Sequence, residues 1–458
     1  MADPASTNAV ILAAGMGTRM MSAMPKVMHP VAGRPMVRHV MAMLEQAGAE
    51  TIITVVGPGM DEVVHETRPH PAAVQTERLG TAHAVLAAKD LIAAAPADTL
   101  LVLFGDTPLI RPETISRMLA RRASPDAPGV VVLGFEPEDP GAYGRLITGP
   151  GGNLEKIVEA KDASADELAV GLCNSGVMAI DGKKVLDWLG RIGDANAKKE
   201  FYLTDIIETA IRDGAHAAVV MGDADEVLGV NSRTDLAAAE AAMQDRLRAH
   251  AMAGGATLTD PGSVFFSWDT VLGRDVSVGP NVVFGAGVTV GDDVTIRAFC
   301  HIEGAAIGPG AIVGPFARLR PGTVLERNVH IGNFVEVKAS VMGEGAKANH
   351  LTYIGDSEVG AGANMGAGTI TCNYDGHFKS KTVIGRGAFI GSNTALVAPV
   401  TIGDGAIIGA GSAIVKDVAA DALAVTRAKQ AEVQGWAKRF NTKRGAEKAA
   451  AKARKEDT

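Results

Sequence analysis

Across residues 264–418 a glycine or a substitute for it returns every six residues, and that spacing restricts the fold more than any other feature. Gly279, Gly285, Gly291, Arg297 and Glu303 hold one phase. After a one-residue slip, Gly308, Gly314, Arg320, Glu326, Gly332 and Lys338 take it up. Gly343, Asn349 and Gly355, then Gly360, Gly366 and Cys372, continue it. Beyond an interruption, Gly385, Gly391, Val397, Gly403, Gly409 and Val415 resume. Most units place Val, Ile or Ala three places before that position and Val or Ile one place before it, as in VSVGPN, VTVGDD and VTIGDG. A helix, at about 3.6 residues per turn, would smear those aliphatics around its whole circumference. Short β-branched strands joined by Gly-containing turns keep them on one side, and fixed self-similarity of this kind predicts a solenoid. Each unit is then one flat side of a coil with its aliphatic side chains inside.

This pattern resembles the hexapeptide-repeat acyltransferases, and the resemblance implies a left-handed parallel β-helix. The 458-residue chain is too long for one core. Hydrophobic content of 47% and charged content of 21% describe a globular protein, and the net charge of −8 argues against a general nucleic-acid binder. Cys173, Cys300 and Cys372 lack CxxC spacing and read as reduced thiols of a cytosolic protein. The apolar runs are too short to span a membrane, and no basic region precedes the first of them as in a signal peptide.

The front half has a different rhythm. Apolar runs at 9–14, 51–57, 99–106, 129–135 and 217–223 alternate with helical patterns such as 36–48 and 81–95. That alternation predicts an α/β domain with a largely parallel, Rossmann-like sheet, whose ligands sit at the carboxyl ends of strands. Gly15 and Asp106 both fall there. An Ala-rich, charge-mixed stretch without Gly or Pro predicts a helix over 233–253 that joins the two halves. The expected organisation is therefore a domain over 1–232, a linker helix over 233–254 and a β-helix domain over 255–458, with repeats ending near Asp417. The basic residues beyond Arg427 read as a solvated helical tail rather than a nucleic-acid or membrane arm.

In LAAGMGTRMMSAMPKVMHPVAGRPM a buried strand feeds a Gly-rich turn that lacks the third glycine of a dinucleotide fingerprint. Its backbone N–H groups can still wrap a phosphate, with Arg19 and Lys26 adding positive charge. The string as a whole resembles the signature of sugar-phosphate nucleotidyltransferases, and QTERLGTAHA, FGD, YGR, IVEAKD, CNSG and GVNSR follow in that family's order. The resemblance implies that Leu12, Ala13, Ala14, Gly15, Arg19 and Lys26 meet the nucleotide and that Gln75, Gly80 and Thr81 recognise uracil. It further implies that Phe104, Gly105 and Asp106 at the strand end bind substrate, as does Asn231, that Gly144, Glu159 and Asn174 contact the sugar, and that Asp106 and Asn231 hold Mg²⁺. Carboxylate and amide oxygens suit a hard cation. Taken singly, Asp106 also reads as a turn former or helix cap, Asn231 as part of the N-cap region of the linker helix, a role compatible with metal binding, and Glu159 as surface charge. His65 and His70 read as loop residues, and His29 and His39 as structural.

In the back half, departures from the repeat cluster at 316–338 and 349–374, and the single extruded loop is HFKSK. Arg318 and Arg320 occupy successive outward positions. His350 stands among polar residues on a face of the predicted β-helix, where an imidazole suits general-base work near neutral pH. NFVEVK, NHLTY, GAGTITCNYDG and LVAPVTIG resemble the bacterial family of bifunctional N-acetylglucosamine-1-phosphate uridyltransferases and glucosamine-1-phosphate acetyltransferases, over residues 8–430. By that resemblance Arg320, Lys338, Tyr353 and Asn364 hold the amino sugar phosphate, and His350 deprotonates its amine. Ala367, Asn373, Tyr374, Ser392, Ala410 and Arg427 border acetyl-CoA. Asn349 stands where the family often has glycine. Cys372 reads as a repeat-turn residue rather than a nucleophile. The resemblance implies a cytoplasmic homotrimer taking UTP and acetyl-CoA as co-substrates with Mg²⁺. The rival readings are a nucleotidyltransferase whose β-helix is only scaffold, and a non-enzymatic assembly protein.

Overall fold

The computed structural model describes residues 5–456. The chain divides into two compact units, Met1–Arg274 with Pro280–Val288, and Asp275–Gly279 with Thr289–Thr458.

In the first unit the apolar runs become strands of a 9-stranded sheet. The strand order is Ala72–Val74, Thr51–Val56, Thr7–Leu12, Thr99–Phe104, Cys173–Asp181, Val130–Phe135, Ala217–Met221, Leu154–Val158, Arg145–Thr148. Thr7–Leu12 is buried along its whole length and pairs in parallel with Thr51–Val56 and Thr99–Phe104. A strand packed on both faces needs a continuous apolar run, as here. Two apolar clusters line the sheet's faces, one around Val10, Val102 and Trp188, the other around Ile11, Leu103 and Met41.

Three local expectations are corrected. The long strand Cys173–Asp181 runs antiparallel between Thr99–Phe104 and Val130–Phe135, and Leu154–Val158 runs antiparallel to both of its neighbours near the sheet edge. The pairing of Cys173–Asp181 shifts register between Asn174 and Met178, and this irregularity in a polar opening obscures the strand in the sequence. The helical pattern at 81–95 breaks into Thr81–Leu86 and Lys89–Ala94. His65 lies in the short helix Asp61–Glu66, not in a loop.

The helix predicted over 233–253 spans Arg233–Ala253. Ser232 caps it, accepting from the Asp235 N–H while the Asp235 carboxylate accepts from the Ser232 N–H. By its contacts this helix belongs to the first unit. Glu240 accepts from the Ala32 N–H at 2.6 Å, and buried Gln244 binds both the N–H and the carbonyl of Phe266.

The second unit is a parallel coil of three sheets, the architecture that a hexapeptide β-helix requires. Register partners lie one coil apart, as in Thr295↔Ile312, Arg318↔Glu336 and Glu336↔Tyr353. Both aliphatics of a unit point inward: Val276 and Val278 are fully buried, as are Val335 and Val337. The interruption after Cys372 is a loop from which a coil resumes in register, with Asn364 paired to Phe389. One strand, Leu423–Ala424, pairs with Ile407–Ile408 beyond the expected end of the repeat near Asp417. The tail forms the helix Trp436–Glu456, exposed through residue 452.

The coils approach so closely that a Cβ on Gly332 would overlap the carbonyl of Asn349. Gly332→Ala is expected to cost about 2–4 kcal/mol, measured by denaturant unfolding of the full chain. An unchanged unfolding midpoint would show that the backbone-to-backbone contact is not what demands glycine.

Candidate active sites

The Gly-rich turn after Thr7–Leu12 opens a cleft of about 380 Å³ at the carboxyl end of the sheet. Leu12, Ala13, Ala14, Gly15, Lys26, Gln75, Gly80, Thr81, Phe104, Asp106 and Asn231 all line it, as do Arg78 and Glu200. Gly17 has φ +59°, and a Cβ there would come within 2.6 Å of the Lys26 Cβ. Glycine at that turn is therefore what lets Lys26 cross close beneath it. The Lys26 ammonium forms an ion pair with Asp106 and donates to Asn231 Oδ1 at 3.1 Å. Asn231 in turn has its N–H held by the Asp235 carboxylate at 2.9 Å, one residue ahead of the helix cap. Two oxygens from distant parts of the chain thus converge on the Lys26 ammonium. Among the described residues no trio of His, Cys, Asp or Glu has metal-holding geometry.

The opposite wall is set by Gln75, whose amide donates to the Gly80 carbonyl at 3.1 Å. Gly80 has φ +118° and lies against the backbone of Phe201, leaving no room for a side chain. Thr81 Oγ1 accepts from the Leu203 N–H at 2.9 Å. Arg78, which the sequence reading did not single out, donates to the Ala14 carbonyl at 3.0 Å and so braces the Gly-rich turn.

Other expected residues lie outside this cleft. Gly105 is buried behind Asp106, its N–H donating to the Leu12 carbonyl. Arg19 is exposed on the helical turn Thr18–Met20. Gly144 and Asn174 meet through the Asn174 N–H and the Gly144 carbonyl at 2.8 Å. Glu159 lines a second pocket of about 380 Å³ with Asp162, Tyr202, Thr204 and Asp205. Thr204 Oγ1 is buried without a hydrogen-bond partner. Burial pushes the Glu159 carboxyl up, against the opposing pull of Lys198. Burial, then Glu208 and Asp162, push Asp205 up to about 6. His39 is a core residue, its ring bound to the Val31 carbonyl and its pKa lowered by burial to about 4. His29 is buried beside Arg233, and His70 pairs with Glu45.

In the second unit the coil register gathers residues far apart in sequence. One corner carries Arg320, bonded to Glu336 at 2.9 Å, and Lys338, whose ammonium lies 3.6 Å from the Asp356 carboxylate. Asn373 donates to that carboxylate and lies 3.5 Å from the Tyr353 hydroxyl. Lys379 of the extruded loop comes to the same place, and its pKa is lowered chiefly by Lys338 beside it. Nothing in its spacing betrays this role, because the loop lies outside the repeat. A different corner carries His350, followed coil by coil by Ala367, Ser392 and Ala410, with Arg427 donating to the Ala410 carbonyl at 2.6 Å. Asn364 lies on a sheet face between Lys347 and Phe389, and Tyr374 is exposed in the loop. Within one chain, then, the acetyl-CoA candidate Asn373 stands with the phosphate-binding candidates Lys338 and Tyr353, while Ala367, Ser392, Ala410 and Arg427 follow His350 at the other corner. Asn349 takes the glycine position without a left-handed backbone, and its Oδ1 is buried without a partner. Cys372 ends the strand Ile370–Cys372, its thiol facing the Ile370 carbonyl.

Asp205 yields a pH test. A carboxyl whose folded pKa is raised binds its proton more tightly in the native state, so stability falls as pH rises from about 4 to 6. Asp205→Asn removes that loss. The melting temperature of the variant relative to the native chain is expected to climb across this window and level off above it; a constant difference would contradict the raised pKa.

Comparison with known proteins agrees with both halves. A MobA-like NTP transferase domain matches residues 9–163, and bacterial transferase hexapeptide repeats match residues 269–304 and 381–416. The bifunctional protein GlmU of Paramagnetospirillum magneticum is 56% identical over 440 residues, 96% of this chain and 98% of its own length. That of Rhodospirillum rubrum is 60% identical over 434 residues, 95% of this chain and 97% of its own. That of Azorhizobium caulinodans is 57% identical over 440 residues, 95% and 97% of the two lengths. At such identity along nearly the whole of both lengths, this chain belongs to the bifunctional GlmU protein family, joining an NTP transferase domain to transferase hexapeptide repeats.

Proposed function

We propose that the chain acetylates glucosamine-1-phosphate with acetyl-CoA and then transfers uridylyl from UTP to the N-acetylglucosamine-1-phosphate formed, releasing UDP-N-acetylglucosamine and pyrophosphate. Residues 1–232 carry the uridylyl transfer and residues 255–458 the acetylation, with 233–254 between them.

For uridylyl transfer the supporting observation is the meeting of Lys26, Asp106 and Asn231 in the Gly-rich cleft. The Asp106 carboxylate and the Asn231 amide oxygen present a hard-oxygen pair already facing a positive charge, and these two residues would hold Mg²⁺. When bound there, Mg²⁺ supplies neutralisation of triphosphate charge. Lys26 then holds the phosphates from the protein side, and the backbone of residues 12–15 wraps them. No general base is required, because the nucleophile is already a sugar-phosphate oxygen. Gln75, Gly80 and Thr81 hold the uracil ring, while Gly144, Glu159 and Asn174 hold the sugar.

For acetylation the supporting observation is that the repeat gathers Arg320, Lys338 and Tyr353 beside Asn373 while leaving His350 exposed on a neighbouring corner. A protonated sugar amine is not nucleophilic, so His350 takes a proton as nitrogen attacks the thioester. Arg320 and Lys338 anchor the sugar phosphate, and Asn364 completes its site. Donors around Asn373 and Ser392 steady the tetrahedral oxyanion. Ala367, Tyr374, Ala410 and Arg427 border the coenzyme.

The chain works as a homotrimer in which neighbouring β-helices complete the acetyl site. A ladder of exposed apolar side chains supports this. Phe299, Phe316 and Phe334 stack at 4.9 and 5.1 Å, and Leu351 holds the next turn. All four have positive φ, at a place where other coils have Gly368, Asn393 and Gly411. Bulky residues accept a strain of about 1 kcal/mol each there, which a purely monomeric coil would not need. The compartment is the cytosol: Cys173, Cys300 and Cys372 are free thiols, and among the described residues no helix is long and apolar enough to cross a membrane.

Two assays separate the halves. Asp106→Asn should lower pyrophosphate release from UTP and N-acetylglucosamine-1-phosphate by at least about 100-fold, as should chelation of Mg²⁺, while thiol release from acetyl-CoA continues. Persistence of pyrophosphate release in either case would remove the metal role. His350→Ala should lower thiol release by about 10²- to 10⁴-fold with uridylyl transfer unchanged; full activity in that variant would remove the base.

A further inference from the structure

His350 is held by a residue that neither the repeat nor the expected site accounts for. Its Nδ1 lies 2.6 Å from Asn333 Oδ1. The two residues are direct register partners on adjacent coils, so the contact follows from the backbone path rather than from a chance rotamer. The same place in other coils is taken by Ala298, Pro315, Ala367, Ser392 and Ala410. Packing at this corner therefore has no need of an amide, yet one stands immediately before the histidine. The main chain of His350 is fixed as well, its carbonyl accepting from Thr352 Oγ1 at 2.7 Å.

We infer that Asn333 is a positioning residue for acetyl transfer, holding His350 in the tautomer whose Nε2 is free to take the proton. An amide oxygen can only accept, so the imidazole proton sits on Nδ1 and the lone pair is left on Nε2. As the amine nitrogen bonds to the acetyl carbon, its proton passes to Nε2. The carbon–sulfur bond then breaks with its electron pair on sulfur, and the proton on Nε2 completes the free thiol. Between those events the ring is an imidazolium, and the Nδ1–H bond to Asn333 becomes charge-assisted and stronger. The amide thus does two things: it selects the tautomer before reaction and stabilises the cation during it. Without it, the tautomer protonated on Nε2, whose Nε2 cannot take the proton, competes.

This inference rests on the reading of His350 as the base, and the test keeps the two apart. Thiol release by the full-length chain is measured against pH for native protein and for Asn333→Ala, Asn333→Asp and His350→Ala. Asn333→Ala is expected to lower kcat about 10- to 100-fold with KM for glucosamine-1-phosphate within about threefold and uridylyl transfer intact. Asn333→Asp keeps the acceptor and adds a negative charge, so the acidic limb of the profile should move up by about one pH unit. Should the alanine variant fold poorly, the limb shift in the aspartate variant decides alone. Native kcat and an unmoved limb in the Asn333 variants, with His350→Ala inactive, would overturn the positioning role and leave the base standing. Undiminished thiol release by His350→Ala would overturn the base itself, and the positioning role with it.

Discussion

The second unit depends on one constraint: each coil's backbone lies directly over the next, close enough that Gly332 has no room for a side chain beneath Asn349. Inward aliphatics such as Val335 and Val337 fill the interior completely, and close packing of this kind tolerates little change in volume. The same stacking converts sequence period into spatial columns. Any side chain at a corner stands over its counterpart one coil away, so Asn333 meets His350 and Arg320 shares a corner with Lys338. A rigid scaffold thereby presents polar groups from several coils at fixed separations, which is the preorganisation that proton transfer and oxyanion binding need.

The first unit solves a different problem with a different geometry. Two polyanions must be brought together, and the carboxyl end of a buried parallel sheet is where backbone N–H groups, Lys26 and the Asp106 carboxylate can all point at one space. Lys26 is held there by the glycine-permitted crossing beneath Gly17 and by its partners Asp106 and Asn231. Asn231 is in turn fixed by the Asp235 carboxylate that also caps Arg233–Ala253. The capped helix is therefore part of the framework of the candidate site in this unit.

Much of this was legible in the sequence, for physical reasons. A period of six with inward aliphatics admits few folds, and buried strands of a parallel sheet announce themselves as unbroken apolar runs. The residues at strand ends were legible because ligands gather there. What stayed hidden was set by tertiary contact. Cys173–Asp181 breaks its register at Asn174, so its alternation is lost. The helix pattern at 81–95 is cut at Ala87 and Ala88, between two stretches whose composition continues unbroken across the gap. Lys379 reaches Lys338 from a loop with no periodicity. Asn333 was invisible because nothing in one strand reveals which residue lies on the coil above it. The left-handed Phe299, Phe316 and Phe334 break local preference outright, and no periodicity of the repeat calls for an exposed aromatic stack there.

The central claim is that the repeat carries chemistry of its own and that this chemistry feeds the first unit. Its most direct test supplies the full-length chain with glucosamine-1-phosphate, UTP and Mg²⁺, and follows thiol and pyrophosphate together as acetyl-CoA is added. The account predicts almost no pyrophosphate before acetyl-CoA is present, then thiol appearing first and pyrophosphate following in equal amount. Pyrophosphate released without thiol would show that the first unit accepts the unacetylated sugar and that the β-helix is scaffold alone.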